Sequence, residues 1–282
     1  MGINSKVAIS SVYKSLEQDE NLIEGIASSI NRALKQASIS INDENSRNIG
    51  LFLSTSFSNF DLRYNNYECF LEKGLRAMNP ALAPKGLISY LGGQVCIACN
   101  IKGAQSTVSS GVSGGFDAIL GAMYFLDRDK NNKAIIVELG ESFNTKPSCL
   151  IKGNCCFVLE NSKQKNLGSI LAIESFFEKK GDNKGLSKAV EEAIKKAFPG
   201  SPHLDYLFLS DDSYLQIKSL KELVDASKTK VFACNKQDMD YSSNLLSIID
   251  VFKEGSKGIA MIINKGQDTN SSCMIFEIKA RR

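Results

Sequence analysis

Between Thr107 and Leu120 the chain reads TVSSGVSGGFDAIL, small residues and glycines at a corner that opens onto Phe116 and Asp117. Within it, GVSGG matches G-x-S-x-G, the turn that presents a nucleophilic serine at the top of a sheet. Ser113 would be that serine, but the middle of the corner is Val112, which cannot attack anything. A serine nucleophile also needs a histidine within hydrogen-bond reach, reached in the order serine, acid, histidine. The one histidine, His203, lies in PGSPHLDY, a connection feeding the N-terminal end of a strand. Sites in α/β sheets gather outside the carboxyl ends of strands, so His203 reads as an exposed loop residue. Ser113 then reads as the start of the following helix, where a hydroxyl can bond free backbone N–H groups. An enzyme acting through Ser113, a hydrolase or acyltransferase, stays as an alternative.

Other reactive side chains have plainer roles. Cys69, Cys96, Cys99, Cys149, Cys155, Cys156, Cys234 and Cys273 lie largely in apolar runs such as CCFVLE. There, free cysteine behaves as a small buried hydrophobe. Cys96 and Cys99 form a single C-x-x-C, with neither the second pair a zinc site needs nor the strand-to-helix setting of a redox motif. Asp211, Asp212, Asp238 and Asp240 stand near strand ends, but no phosphate-cradling glycine loop accompanies them, and no metal is expected. Glu138 and Glu141 flank the end of a strand and read as partners of nearby backbone. No cofactor is expected.

Composition narrows the class. The 282 residues are 43% hydrophobic and 23% charged, with a net charge of +3, the balance of a globular chain. Lys179–Lys180 and Lys195–Lys196 read as solvated surface rather than a stripe that tracks phosphates, so nucleic acid is not an expected partner. The opening MGINSKVAISSVYKS lacks an export pattern, and its loose myristoylation match at Gly2 and Ser5 is too short to weigh. No apolar run is long enough to span a bilayer. With its cysteines read as free thiols, the chain is expected in the cytoplasm.

The elements that must hold these residues repeat. A helix, NLIEGIASSINRALKQA, leads into the strand IGLFLSTS (Ile49–Ser56), and later KGLSKAVEEAIKKAF leads into LDYLFLSDD (Leu204–Asp212). The first strand is followed by the corner, a helix (Phe116–Asp127) and the strand KAIIVELGE (Lys133–Glu141). The second is followed by TKVFACNKQD (Thr229–Asp238), a helix (Ser242–Phe252) and KGIAMIINKG (Lys257–Gly266). Each half closes on a similar strand, CCFVLEN and CMIFEIK. Two copies of one strand–helix–strand plan predict duplicated α/β halves, residues 1–162 and 163–282. Residues 57–102, rich in turn formers (Asn65, Asn66, Asn79, Pro80, Pro84, Gly92, Gly93), read as an elaborated insertion.

The duplicated halves, with NPALAPKGLISYLGGQVCIACNIKGAQSTVSSGVSGGFDAI in the first and LDYLFLSDD, TKVFACN and KGQDTNSSCMIFEI in the second, resemble the β-ketoacyl synthases of the thiolase fold. The resemblance runs from about Lys6 to Ile278 and implies layers in the order α-β-α-β-α. It also implies a cysteine nucleophile at a helix N-terminus and two histidines that stabilise developing charge. Carried over, the cysteine position is Val112 and the histidine positions are Ser210 and Asn235. Gly111, Gly115, Thr229, Lys230, Thr269 and Asn270 are retained, while the family's late glycine-rich turn survives only as KGQDTN, without its Phe. The chain is also shorter than a usual synthase, with trimmed loops around the corner.

The resemblance therefore implies a non-catalytic subunit, similar to the chain-length factors that pair with an active ketosynthase in type II fatty-acid or polyketide systems. The strand before the nucleophile position pairs across the dimer axis in this family. Here it would be Gln105, Ser106, Thr107, Val108, Ser109 and Ser110. The implied partners are a catalytic ketosynthase, or a second copy of the chain in a homodimeric scaffold or acyl-binding protein, together with an acyl carrier protein.

Overall fold

A strand that is apolar on both faces must be covered on both, and most strands of this chain are of that kind. The computed structural model describes residues 7–15, 21–56, 60–143, 149–161, 166–177, 184–200, 202–209, 215, 217–227, 229–233, 245, 249, 252, 257–265 and 270–279. The first five strands are β1 (Val7–Ser15), β2 (Ile49–Ser54), β3 (Gln105–Val108), β4 (Lys133–Phe143) and β5 (Cys149–Glu160). The next five are β6 (Gly168–Phe177), β7 (Tyr206–Leu209), β8 (Lys230–Ala233), β9 (Gly258–Lys265) and β10 (Asn270–Ile278).

Their hydrogen-bonded order is β3-β2-β4-β5-β1-β6-β10-β9-β7-β8. Read inward from each end, the two groups of five follow the same plan, down to the pairing directions. β2 is parallel to β3 and β4, as β7 is to β8 and β9. β5 runs antiparallel to β4 and β1, as β10 does to β9 and β6. The groups join where β1 meets β6 antiparallel at Val7–Ile9.

Alternation along the strands divides the core into three. Leu51, Leu53, Ile135 and Val137 face outward onto α1 (Leu22–Gln36) and α4 (Ile88–Ala98). Leu207, Leu209, Met261 and Ile263 face the opposite outer layer, α6 (Lys184–Ala197) and α7 (Lys218–Ser227). Phe52, Ile136, Phe208 and Ile262 point the other way, into one central cluster. That cluster is filled by Phe116, Ile119 and Met123 of α5 (Gly114–Arg128) and by helical Leu245, Ile249 and Phe252. Helix, sheet, helix, sheet, helix is the resulting sequence of layers, as expected. α1 shows why its residues form an element. Ile26, Ile30, Ala33 and Leu34 recur at helical spacing on the buried face, and the Asn21 side chain caps the start by accepting from the Ile23 N–H at 3.2 Å.

The segment read as turn-rich is largely helical. Asn65 and Asn66 lie inside α2 (Phe60–Lys73), Pro84 inside the short α3 (Leu82–Lys85), and Gly92 and Gly93 inside α4. Tertiary packing overrides local preference at Gly92. A Cβ there would sit 2.2 Å from Gln105 Nε2 and 2.4 Å from Thr107 Oγ1, so glycine lets α4 lie on β3. α2 is unusual in having no buried residue.

Candidate functional site: the corner before α5

β3 ends at Val108, two residues earlier than the expected Gln105–Ser110. The chain then makes a 3-10 turn, Gly111–Ser113, and enters α5 at Gly114 rather than Phe116. Gly111 has φ 55°, the left-handed conformation that glycine adopts without strain. At Gly114 an added Cβ would lie 2.3 Å from Ser54 Oγ, so the helix start rests directly on the end of β2. Val112, half-buried between these glycines, sits one turn before the positive end of the α5 dipole. A thiolate there would be favoured by that field; an isopropyl group leaves it unused.

The second half completes the corner. Asn264, fully buried near the end of β9, donates from Nδ2 to the Val112 carbonyl at 2.9 Å. β9 runs parallel to β7, and Leu209, the last residue of β7, is paired with Ile263 next to Asn264. The corner thus lies against the end of β9, level with the carboxyl end of its parallel neighbour β7, from which the chain proceeds toward Ser210. Ser210, Asn235 and Thr269 lie outside the described residues, and Asn270 is described only in its backbone, paired with Phe177. Asn264 was not singled out from sequence, although it is the first polar residue after the run IAMII.

Thr229 and Lys230 are not brought to the corner. They stand at the other end of β8, where the Thr229 hydroxyl donates to the Leu204 carbonyl at 2.8 Å and the Lys230 N–H to the Asp205 carbonyl at 2.9 Å. Both anchor the beginning of the strand. His203 is at that end too, exposed and 3.0 Å from Asp205. Ser113 lies at the far end of the sheet from it and has no exposed surface. Contrary to the expected role, Ser113 makes no capping bond, because the 3-10 turn continues into α5 with Ser113 already in helical conformation. Among the described residues, its hydroxyl finds no partner.

Glu141 is buried within β4, beyond a bulge after Gly140, and its partners include side chain as well as backbone. Its carboxylate accepts from the Thr55 hydroxyl at 2.6 Å and from the Ser56 N–H, tying down the end of β2 beside the corner. Glu138, also within β4, approaches the Cys155 thiol at 3.9 Å. Burial pushes the thiols of Cys155, Cys156 and Cys273 far up, and those of Cys96 and Cys99 to about 11, so all five are poor nucleophiles at neutral pH. They pack as core, as the sequence implied.

Asp117, in the first turn of α5, has its carboxyl held above the usual range by burial, opposed by a hydrogen bond from Ser110. A raised folded-state value makes the ionised form a cost to stability. That cost is absent below the unfolded value of about 4 and grows as pH rises through the folded one. Asp117→Asn is therefore expected to raise the unfolding temperature at pH 7, with the advantage shrinking toward pH 4. Thermal melts of both proteins across that range check the sign.

No family model matches the chain. Over 95 residues it is 25% identical to 3-oxoacyl-[acyl-carrier-protein] synthase 2 of Vibrio cholerae and, equally, to that of Vibrio harveyi. The match spans 34% of this chain and 23%, about a quarter, of each relative. Among solved structures, it is similar at TM-score 0.72 to a type II polyketide ketosynthase in complex with its acyl-carrier protein, with 12% identity, 97% of this chain and 99% of that one covered. The ishigamide ketosynthase/chain length factor gives a TM-score of 0.63 at 12% identity, covering 83% and 74%. A β-ketoacyl synthase from Burkholderia phymatum gives 0.70 at 11%, covering 97% and 99%. With the duplicated topology, these likenesses define the class as a layered α/β fold of the thiolase type. Within that class, the fold is that of the ketosynthases. No described helix is long and apolar enough to cross a membrane.

Proposed function

We propose that this chain is a catalytically inactive, ketosynthase-like subunit, of the chain-length-factor kind, that pairs with an active β-ketoacyl synthase in fatty-acid or polyketide biosynthesis. The observation that supports the reading is a glycine-shaped corner at a helix start, where the resemblance puts the nucleophile, kept in shape around a residue with no chemistry. Gly111 turns the chain, Gly114 seats the helix, Asn264 holds the carbonyl, and the side chain presented is Val112. Condensation needs a thiolate to take the acyl chain and cations or donors to stabilise the decarboxylating thioester. Valine supplies no thiolate, and the Ser210 and Asn235 side chains cannot replace two imidazoles.

Pairing, by contrast, needs only backbone. Among the described strands, β3 stands at one end of the order and is paired only with β2. The N–H groups of Leu51 and Thr55 donate to the carbonyls of Ala104 and Val108, so by alternation Gln105 and Thr107 present their backbone groups to the open edge. An acyl carrier protein is the further partner of such a complex, and the cytoplasm its place. The hydrolase alternative has less support, since Ser113 is sealed in the core and His203 is at the opposite end of the sheet.

The test is co-purification of the tagged chain with any β-ketoacyl synthase that is encoded beside it. A stoichiometric complex is expected, in which only the cysteine-containing subunit becomes acylated. A stable protein that ignores every such synthase would sink the proposal.

A further inference from the structure

The C-x-x-C of the chain has no part in the corner, and the fold puts it at a joint. Cys96 stands in the last turn of α4, and Cys99 is the residue on which that helix ends. Residues three apart on a helix share a face, and helix geometry sets their Cα atoms roughly 5 Å apart, within the span of a disulfide. Cys99 has left the helical conformation, with φ −99° and ψ 2°, so its side chain is not bound to the helical direction. Cys96 is half-buried and its neighbour Ile97 is 75% exposed, which leaves this end of the helix open to a small oxidant. Cys99 is covered, packed with Cys156 in the outer cluster.

Only residues 100–104 separate Cys99 from β3. Asn100 turns through φ 55°, and the Ile101 N–H donates back to the Cys96 carbonyl at 2.9 Å, closing the helix. The Lys102 N–H then donates to the Ser46 carbonyl at 2.9 Å and the Gly103 N–H to the Ile49 carbonyl at 3.1 Å. The Ala104 carbonyl accepts from the Leu51 N–H at 2.8 Å. A displacement of Cys99 pulls on this whole series of bonds.

We infer that Cys96 and Cys99 form a redox-sensitive switch, in which an intramolecular disulfide draws Cys99 out of the outer cluster and loosens the entry to β3. The oxidant is a small disulfide of the glutathione type. The Cys96 thiolate attacks one of its sulfurs and expels a first glutathione thiolate. The Cys99 thiolate then attacks the Cys96 sulfur, forms the new S–S bond and expels the second. Two protein thiols and one glutathione disulfide become one protein disulfide and two glutathione thiols, which take up the two protons. Burial holds both protein thiols up at about 11, so the exchange is slow at neutral pH and quickens about tenfold per pH unit below that value. The same property leaves the reduced pair without thiolate stabilisation, so the disulfide resists reduction once formed.

The test is incubation of the reduced full-length chain with oxidised glutathione at about pH 9, followed by N-ethylmaleimide and trypsin. The peptide of residues 86–102 holds both cysteines and no other. It is expected to emerge two hydrogens lighter than its reduced form and free of maleimide, whereas Cys99→Ser is expected to keep glutathione on Cys96. Hydrogen exchange at the Ile101, Lys102 and Gly103 amides is expected to quicken at least about tenfold in the oxidised wild type and to slow again on reduction. If Cys99→Ser fails to fold, Cys99→Ala replaces it. A native chain that takes two maleimides on this peptide, under conditions that fully oxidise it in urea, overturns the inference. So does a lasting glutathione adduct on wild-type Cys96, or a disulfide that leaves the three amides unchanged.

Discussion

Phe116→Ala is expected to destabilise the protein by about 4 kcal/mol and to lower its unfolding temperature by roughly 10 °C. Phe116 has no exposed surface and heads the central cluster, where side chains from both groups of strands meet α5. Its ring stands two residues into the helix that opens at the corner, so the neighbours that could collapse into the void are pinned. Gly114 is pressed on Ser54 and the preceding turn is held by Asn264. A void that cannot close keeps most of its cost. A surface phenylalanine such as Phe70, 40% exposed, should lose less than about 1 kcal/mol on the same change in the isolated protomer. Thermal and urea unfolding of the two variants side by side measure the contrast.

Asn264→Ala is expected to cost about 2 kcal/mol, because it removes a fully buried amide and leaves the part-buried Val112 carbonyl without that donor. The effect should also be local. Backbone amides of residues 111–115 should exchange hydrogen faster, while those of β4 and β5, hydrogen-bonded along their length, stay protected. Asn264→Asp keeps the shape but offers a carboxylate where a donor is needed, and should not rescue the corner. Native-state hydrogen exchange on the three proteins distinguishes a latch between the halves from a merely buried amide.

Much of this architecture was legible in the chain because its signals were regular. α1 and α6 carry their buried residues at helical spacing, and β2, β4, β7 and β9 are short apolar runs bounded by polar ones. The repeat in spacing became a repeat in strand order. What local pattern could not show was decided by contacts distant in sequence. α4 stays helical across Gly92, where the missing side chain leaves room for the Gln105 and Thr107 side chains of β3. Ser113 caps nothing because the turn before it is already helical. The Glu141 clamp joins residues 85 and 86 positions apart, and Asn264 reaches back 152 positions to Val112. Glu141 was singled out as a local partner, but only the fold shows that it ties two strands together. That Val112 stands where the family has its nucleophile rests on resemblance alone, since nothing in GVSGG itself asks for a thiol there.

In the function proposed above, the corner holds a shape and performs no chemistry. Intact-mass measurement after incubating the purified chain with an acyl thioester tests it most directly. An unchanged mass is expected for the wild type and, for Val112→Cys, at most an acylated cysteine with no decarboxylation of a malonyl thioester. An acyl adduct on the wild-type chain that disappears in Ser113→Ala would contradict it.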